Sequence, residues 1–181
     1  KNAYEEAEET MHSLDYTKRY FTSFKHKLLG RSTFKGRMKN APFFSIYNIG
    51  NYTFSPWKVI WAEQKDFCAA VVSSHSTPFI GKRPFIPDHK IFFVDFTQPE
   101  PAHFLCGLLN SSVVIEFVKS HNISIQVGDI FKHMNLPKYN SENKKHKKII
   151  QLSMQSHKER TLDKRLIILD KISAVAEIDN S

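Results

Sequence analysis

Hydrophobic positions change their period along this chain. Between Tyr16 and Leu29, the residues Tyr20, Phe21, Phe24 and Leu28 recur at helical spacing, with Lys and Arg between them. That pattern predicts a helix with Gly30 as its C-cap. Ser32 to Asn40 is polar and basic without periodicity and predicts a loop. The texture then becomes strand-like. Lys58-Val-Ile-Trp61, Cys68-Ala-Ala-Val-Val72 and Lys90-Ile-Phe-Phe-Val94 are short β-branched or aromatic runs bounded by turn residues. Pro78, Gly81, Pro84 and Pro87 mark an irregular connection before the third run.

Helical spacing returns at Pro99-Glu-Pro-Ala, an entry that tolerates proline in the first turn. Phe104, Leu105, Leu108 and Leu109 give that helix its apolar face. Asn110-Ser-Ser112 interrupts it, and Ser111 or Ser112 caps a further helix through Val118. A short helix is expected over Val127–Met134, stopped by Leu136-Pro137. Two more are expected over Ser141–Arg160 and Leu162–Ile178, the last with Leu162, Leu166, Leu169 and Ile172 on one stripe. Strands in the middle followed by helices predict an α+β fold. Its mixed or antiparallel sheet is flanked by helices and followed by a C-terminal helical hairpin.

Composition sharpens this picture. With 181 residues the chain is long enough for one domain with a real core, or for a domain with an appendage. Only six glycines argue against a glycine-rich nucleotide cradle. The formal net charge of +8 favours nucleic acid or an anionic membrane as partner. No apolar run approaches the roughly 18 residues of a membrane span. Cys68 and Cys106 lie far apart in apolar surroundings, as in a reduced, cytoplasmic protein rather than a disulfide framework. No signal peptide opens the chain, and its start at Lys1 suggests a piece of a longer protein.

The charge is unevenly placed. The first fifteen residues form an acidic leader, with Glu5, Glu6, Glu8, Glu9 and Asp15. From Tyr16 to Ala62 there is no Asp or Glu, and every charged side chain is basic: Lys18, Arg19, Lys25, Lys27, Arg31, Lys35, Arg37, Lys39 and Lys58. That run ends in Tyr47–Trp61, where five aromatic residues surround Gly50 and Pro56. Phe54, Trp57 or Trp61 is expected to be largely buried. Asn48, Asn51, Tyr52 and Thr53 are expected to be exposed donors and acceptors. Amide side chains suit adenine edges and Arg or Lys suits guanine. Arg31, Lys35, Arg37 and Lys39 suit phosphates. Lys144-Lys-His-Lys-Lys148 is a further basic cluster. It is placed unfavourably for a helix start, where cations meet the positive end of the dipole, and is expected to fray unless an anion binds it.

Catalytic patterns are thin. Pro87-Asp88 with Glu142-Asn-Lys144 superficially matches a nuclease pattern, but the acidic-x-lysine part belongs on a core strand and Glu142 opens a lysine-rich helix. Glu63-Gln-Lys65 precedes Asp88. His103 and Cys106 share a helical face without the further ligands zinc needs, so a core cysteine beside a partly exposed histidine is the favoured reading. Neither a GxxxxGK[ST] nor a GxGxxG element occurs.

Four ordered segments carry a family resemblance. Tyr52-Thr-Phe-Ser-Pro-Trp-Lys-Val-Ile-Trp61, Lys82-Arg-Pro-Phe-Ile-Pro-Asp-His-Lys90, Ala102-His-Phe-Leu-Cys-Gly-Leu-Leu-Asn-Ser111 and the stretch from Ile130 to Tyr139 resemble elements of adenine-specific DNA methyltransferases of type II restriction–modification systems. Bifunctional methyltransferase–endonucleases share them. The resemblance implies a target recognition domain over residues 16–140, with a helical tail over 141–181. It implies double-stranded DNA as partner, with Lys58, Lys82 and Arg83 joining the contacts named above. It also implies a catalytic domain elsewhere in the parent chain that binds S-adenosylmethionine. The chain has no NPPY, DPPY or FxGxG element, so the expectation is recognition without cofactor binding or catalysis. From another class, a protein-interaction module docking an acidic partner remains the alternative.

Overall fold

The chain divides at Gly50 into two units, Lys1–Gly50 and Asn51–Ser181. The computed structural model describes residues 2–62, 67–120 and 134–176. The helix expected over Val127–Met134 lies, but for Met134, outside the described residues, as does Glu63-Gln-Lys65.

In the first unit the acidic leader is helix α1 (Ala3–Ser13). Asn2 caps it: its Oδ1 accepts from the backbone N–H groups of Tyr4 and Glu5, and Glu5 Oε2 accepts from Asn2 N–H. This reciprocal box satisfies donors that the helix cannot, while Glu5 and Glu6 face the positive end of its dipole. The helix expected over Tyr16–Leu29 is two, α2 (Asp15–Ser23) and α3 (Lys25–Leu29), broken at Phe24 and ended at Gly30 as expected. Of its apolar positions, Phe21 and Leu28 are half-buried while Tyr20 and Phe24 are exposed.

Ser32–Arg37 is a short helix, α4, rather than the expected loop. The signal was the pair Phe34 and Met38, one turn apart and both buried. In the same unit Phe44 meets Phe21 in a tilted contact and Phe43 edge to face.

The second unit is built around an antiparallel sheet in the order β2 (Ala70–Ser73), β1 (Trp57–Ala62), β5 (Ile91–Phe96). All three expected strands form. The proline-punctuated connection contains an unexpected two-stranded ribbon, β3 (His75–Thr77) and β4 (Gly81–Arg83), paired antiparallel. On β1, Val59 and Trp61 point to the buried face, as the two-residue period of a strand requires. They pack with Ala69, Ala102, Cys106 and Leu109, and with Phe92 and Val94 of β5.

Helix α5 (Pro99–Leu109) lies across that face. Its opposite side, Phe104 and Leu108, packs on a helical pair, α7 (Lys144–Lys158) and α8 (Leu162–Val175), through Ile149, Leu152, Ile168 and Ile172. Between them in the chain, α6 (Ser112–Ser120) follows α5 after a short break. The result is three layers: sheet, buried helix, helical pair. A helix covered on both sides is apolar all round. No single helix among the described residues is long and apolar enough to cross a membrane. The expected stripe on the last helix is half right: Leu169 and Ile172 face inward, but Leu162 and Leu166 are exposed and Ile168 takes the buried position.

Two polar devices lock the layers. Asn110 ends α5, and its side chain accepts from Ala69 N–H at 2.9 Å and donates to Ala69 C=O at 2.8 Å and Cys106 C=O at 3.0 Å. It thus acts as an extra stretch of strand for the approach to β2. The second device is a histidine pair. His157 Nε2 accepts from Val71 N–H at 2.9 Å, which leaves its Nδ1 as the protonated nitrogen, donating to Ser153 C=O at 2.8 Å. Buried His103 meets the Ser153 hydroxyl at 3.1 Å and the His157 ring edge to face. It was expected to be partly exposed and is 7% exposed. Desolvation, reinforced by nearby His157, pushes its pKa down to about 4. Burial pushes the neighbouring Cys106 thiol up to about 12, which leaves it an inert core side chain.

Two predictions follow from this packing. A Cβ on Gly107 would sit 2.5 Å from Ile149 Cγ2, a branch held stiffly at χ1. Gly107→Ala is therefore expected to destabilise by about 1–3 kcal/mol despite the better helix propensity of alanine, measurable by urea denaturation. His103 binds its proton more weakly when folded than when unfolded. Its contribution is complete above the unfolded value near 6.5 and is lost as pH falls toward about 4, at a cost of about 3 kcal/mol. Stability measured across that window should fall with pH, and His103→Gln should flatten that part of the slope.

Candidate nucleic-acid interface

Ten side chains were expected to meet DNA. The structure sorts them by what already holds them. Arg31 is half-buried and fully engaged: its Nε donates to Leu28 C=O at 2.8 Å, and one Nη2 donates to Phe43 C=O at 3.0 Å and Ser45 C=O at 2.9 Å. Its guanidinium also lies over the Phe34 ring. This fork ties the segment after α4 to the end of α3, a task suited to the planar donor array of arginine. Arg31 therefore builds the first unit rather than facing outward as a phosphate clamp.

Lys58 is the second correction. It was expected among the exposed basic contacts and is 1% exposed. It lies opposite Val72 and Asp95 on the two neighbouring strands, on the sheet face away from α5. There the 3₁₀ turn Asn51–Phe54 supplies Tyr52, whose ring stacks on Phe93. The Lys58 ammonium donates to Ser55 C=O at 2.7 Å and lies over the Phe93 ring. Asp95 accepts from Ser55 Oγ at 2.8 Å. Desolvation lowers the Lys58 pKa, against the opposing pull of Asp95. Thr53 is buried too, the reverse of its expectation; of the three aromatics of which one was expected to be largely buried, Trp61 is buried, Trp57 half-buried and Phe54 exposed.

The remaining candidates are on the surface. Lys35 and Arg37 on α4, and Lys39 just beyond it, are exposed. Arg37 donates to the Tyr47 hydroxyl at 3.1 Å, so the cation is held against an aromatic ring with other donors to spare. Asn48 is exposed and turns the chain with φ of 59°, a left-handed conformation that asparagine tolerates. Asn51 and Tyr52 are also exposed. Lys82 and Arg83 are exposed on β4. The sequence reading named these two but missed the ribbon that carries them.

The basic cluster at Lys144–Lys148 does not fray. Asn143 caps α7, accepting from Lys145 N–H at 2.8 Å and His146 N–H at 3.3 Å. His146 packs against Phe104, which turns the four lysines outward. Neither half of the nuclease-like pattern lies on a strand: Asp88 precedes β5 and bonds its neighbour His89, and Glu142 sits in the turn before α7. Among the described residues no group of three or more His, Cys, Asp or Glu side chains is placed to hold a metal ion.

No family model matches the chain. Over 83 residues, 45% of its length, it is 35% identical to the type II methyltransferase M.NspV of Nostoc sp. (strain ATCC 29411 / PCC 7524). This chain is similar to a type II methyltransferase. The match spans only 16% of that relative's length.

With DNA as the expected partner, neutralising Lys35, Arg37 and Lys39 together to Gln should leave the folded state intact and weaken binding to all DNA sequences alike. Each lost phosphate contact lowers the slope of log affinity against log salt by about 0.9. Arg31→Ala should instead destabilise the first unit, seen as earlier proteolysis or a lower thermal midpoint, because it leaves the Phe43 and Ser45 carbonyls without their donor.

Proposed function

We propose that this chain is the target recognition part of a type II, adenine-specific DNA methyltransferase of a restriction–modification system. In this reading it binds double-stranded DNA sequence-specifically and leaves chemistry to a catalytic domain of the same parent chain. The observation that carries the reading is the similarity to a small share of a type II methyltransferase, in a chain that contains no NPPY, DPPY or FxGxG element. When bound in that other domain, S-adenosylmethionine would supply the methyl group.

The side chains divide the labour by chemistry. Lys35, Arg37 and Lys39 hold the phosphate backbone, which sets position without reading sequence. Asn48, Asn51, Tyr52, Lys82 and Arg83 face base edges, where amides pair with adenine and cations with guanine. Lys58 and Arg31 support the surfaces from within.

Two measurements test this. With three phosphates held by Lys35, Arg37 and Lys39, log affinity for duplex DNA should fall with log salt at a slope of about −3 or steeper, and a salt-independent constant would sink the reading. Calorimetric titration of the 181-residue chain with S-adenosylmethionine should give no binding heat. Clear binding would mean that the chain carries a cofactor site and is not a recognition part alone.

A further inference from the structure

The β3–β4 ribbon ends in an apolar side chain that nothing in the fold covers. Phe79 is 96% exposed, and Ile80 beside it is exposed as well. Burying a phenylalanine is worth about 1.5–3 kcal/mol, so a partner that covered this one would gain affinity from it.

The tip is built rather than loose. Thr77 and Gly81 face each other across the ribbon. Pro78 presets φ at the entry to the turn. Gly81 has φ of 67°, the left-handed residue that closes a short hairpin loop. Thr77 Oγ1 accepts from Ile80 N–H at 3.3 Å and donates to Gly81 C=O at 3.3 Å. Phe79 is thus held at the apex by a braced turn, and little entropy remains to be lost when it meets a partner.

The surroundings indicate which partner. Residues 67–87 contain no Asp or Glu, and their only Lys and Arg are Lys82 and Arg83, both exposed on the ribbon just behind the tip, with Phe85 and Ile86 exposed beyond them. An aromatic ring with cations behind it matches stacked bases with phosphates on either side. A two-stranded ribbon also fits a DNA groove.

We propose that Phe79 is a stacking wedge that enters a base step of duplex DNA, while Lys82 and Arg83 hold the adjoining backbone or base edges. Apolar wedges of this kind partly unstack the step they enter. This inference rests on the DNA-binding reading above and adds to it a residue outside the expected contacts.

The test uses the 181-residue chain and duplexes selected from a randomised pool for binding to it. 2-Aminopurine, whose fluorescence rises on unstacking, is placed at each position of the selected duplex in turn. Binding should raise the signal at one step. Phe79→Ala should remove that rise and weaken binding about tenfold, as expected for one lost base–aromatic contact. Phe79→Trp should restore both. Because the ring contributes nothing to the core, the thermal midpoint should not move in either variant. If Phe79→Ala binds the selected duplex as tightly and leaves the same signal, the wedge is overturned while DNA recognition stands. If the unaltered chain selects no duplex, the recognition reading falls and the wedge with it. If Phe79→Ala changes only self-association, the tip is a protein contact and the wedge is overturned.

Discussion

A helix buried on both sides has last carbonyl groups to satisfy without water, and at the end of α5 Asn110 and Ser111 supply donors to those of Cys106 and Leu108. The free carbonyls at a helix end are among the costliest groups to bury. Asn110 meets the Cys106 carbonyl with its amide and uses the rest of its side chain to pair with Ala69 in both directions. Ser111 closes the same end by donating to Leu108 C=O. The sheet and the helical pair can therefore both pack on α5. Without that closure, neither apolar face of the helix would have a stable place to lie.

The remaining layer contacts share this logic of polar groups spent inside. His157 accepts from an N–H of β2 and donates within α7, so the helical pair is tied to the sheet as well as to α5. Lys58 is held by a carbonyl and a ring on the sheet's other face. In the first unit Arg31 does the equivalent work for the segment after α4. Polar side chains in this molecule fall into two populations, those that build surfaces and those that form them. A contact set drawn from charge alone mixes the two.

That mixture marks the limit of what was legible beforehand. The three main strands and the helices around α5 and after Asn143 announce themselves by period, because packing on one layer imposes a regular spacing. Helix α4 was hidden because a single buried pair, Phe34 and Met38, is too short to establish a period. The ribbon β3–β4 was hidden because both its strands are short and largely exposed, so no alternation marks them. Its turn was written in Thr77-Pro-Phe-Ile-Gly81, which names a bend rather than a pairing. The fate of Lys58 depended on a turn covering one face of the sheet, a tertiary event that strand alternation does not encode. Lys35, Arg37, Lys39, Lys82 and Arg83 lie on the surface, as the expectation required, Arg37 with a bond to the Tyr47 hydroxyl.

Gly107 has a bearing on the far end of α7. By letting that helix approach α5 closely, it fixes Ile149 at the crossing. The rotational phase of the helix is then set, since each residue along it turns the next by about 100°. A slip of one position would carry a lysine of the Lys144–Lys148 cluster toward Phe104 and push an isoleucine into solvent. The direction of that positive field is thus governed by a residue with no side chain, some forty positions earlier in the chain.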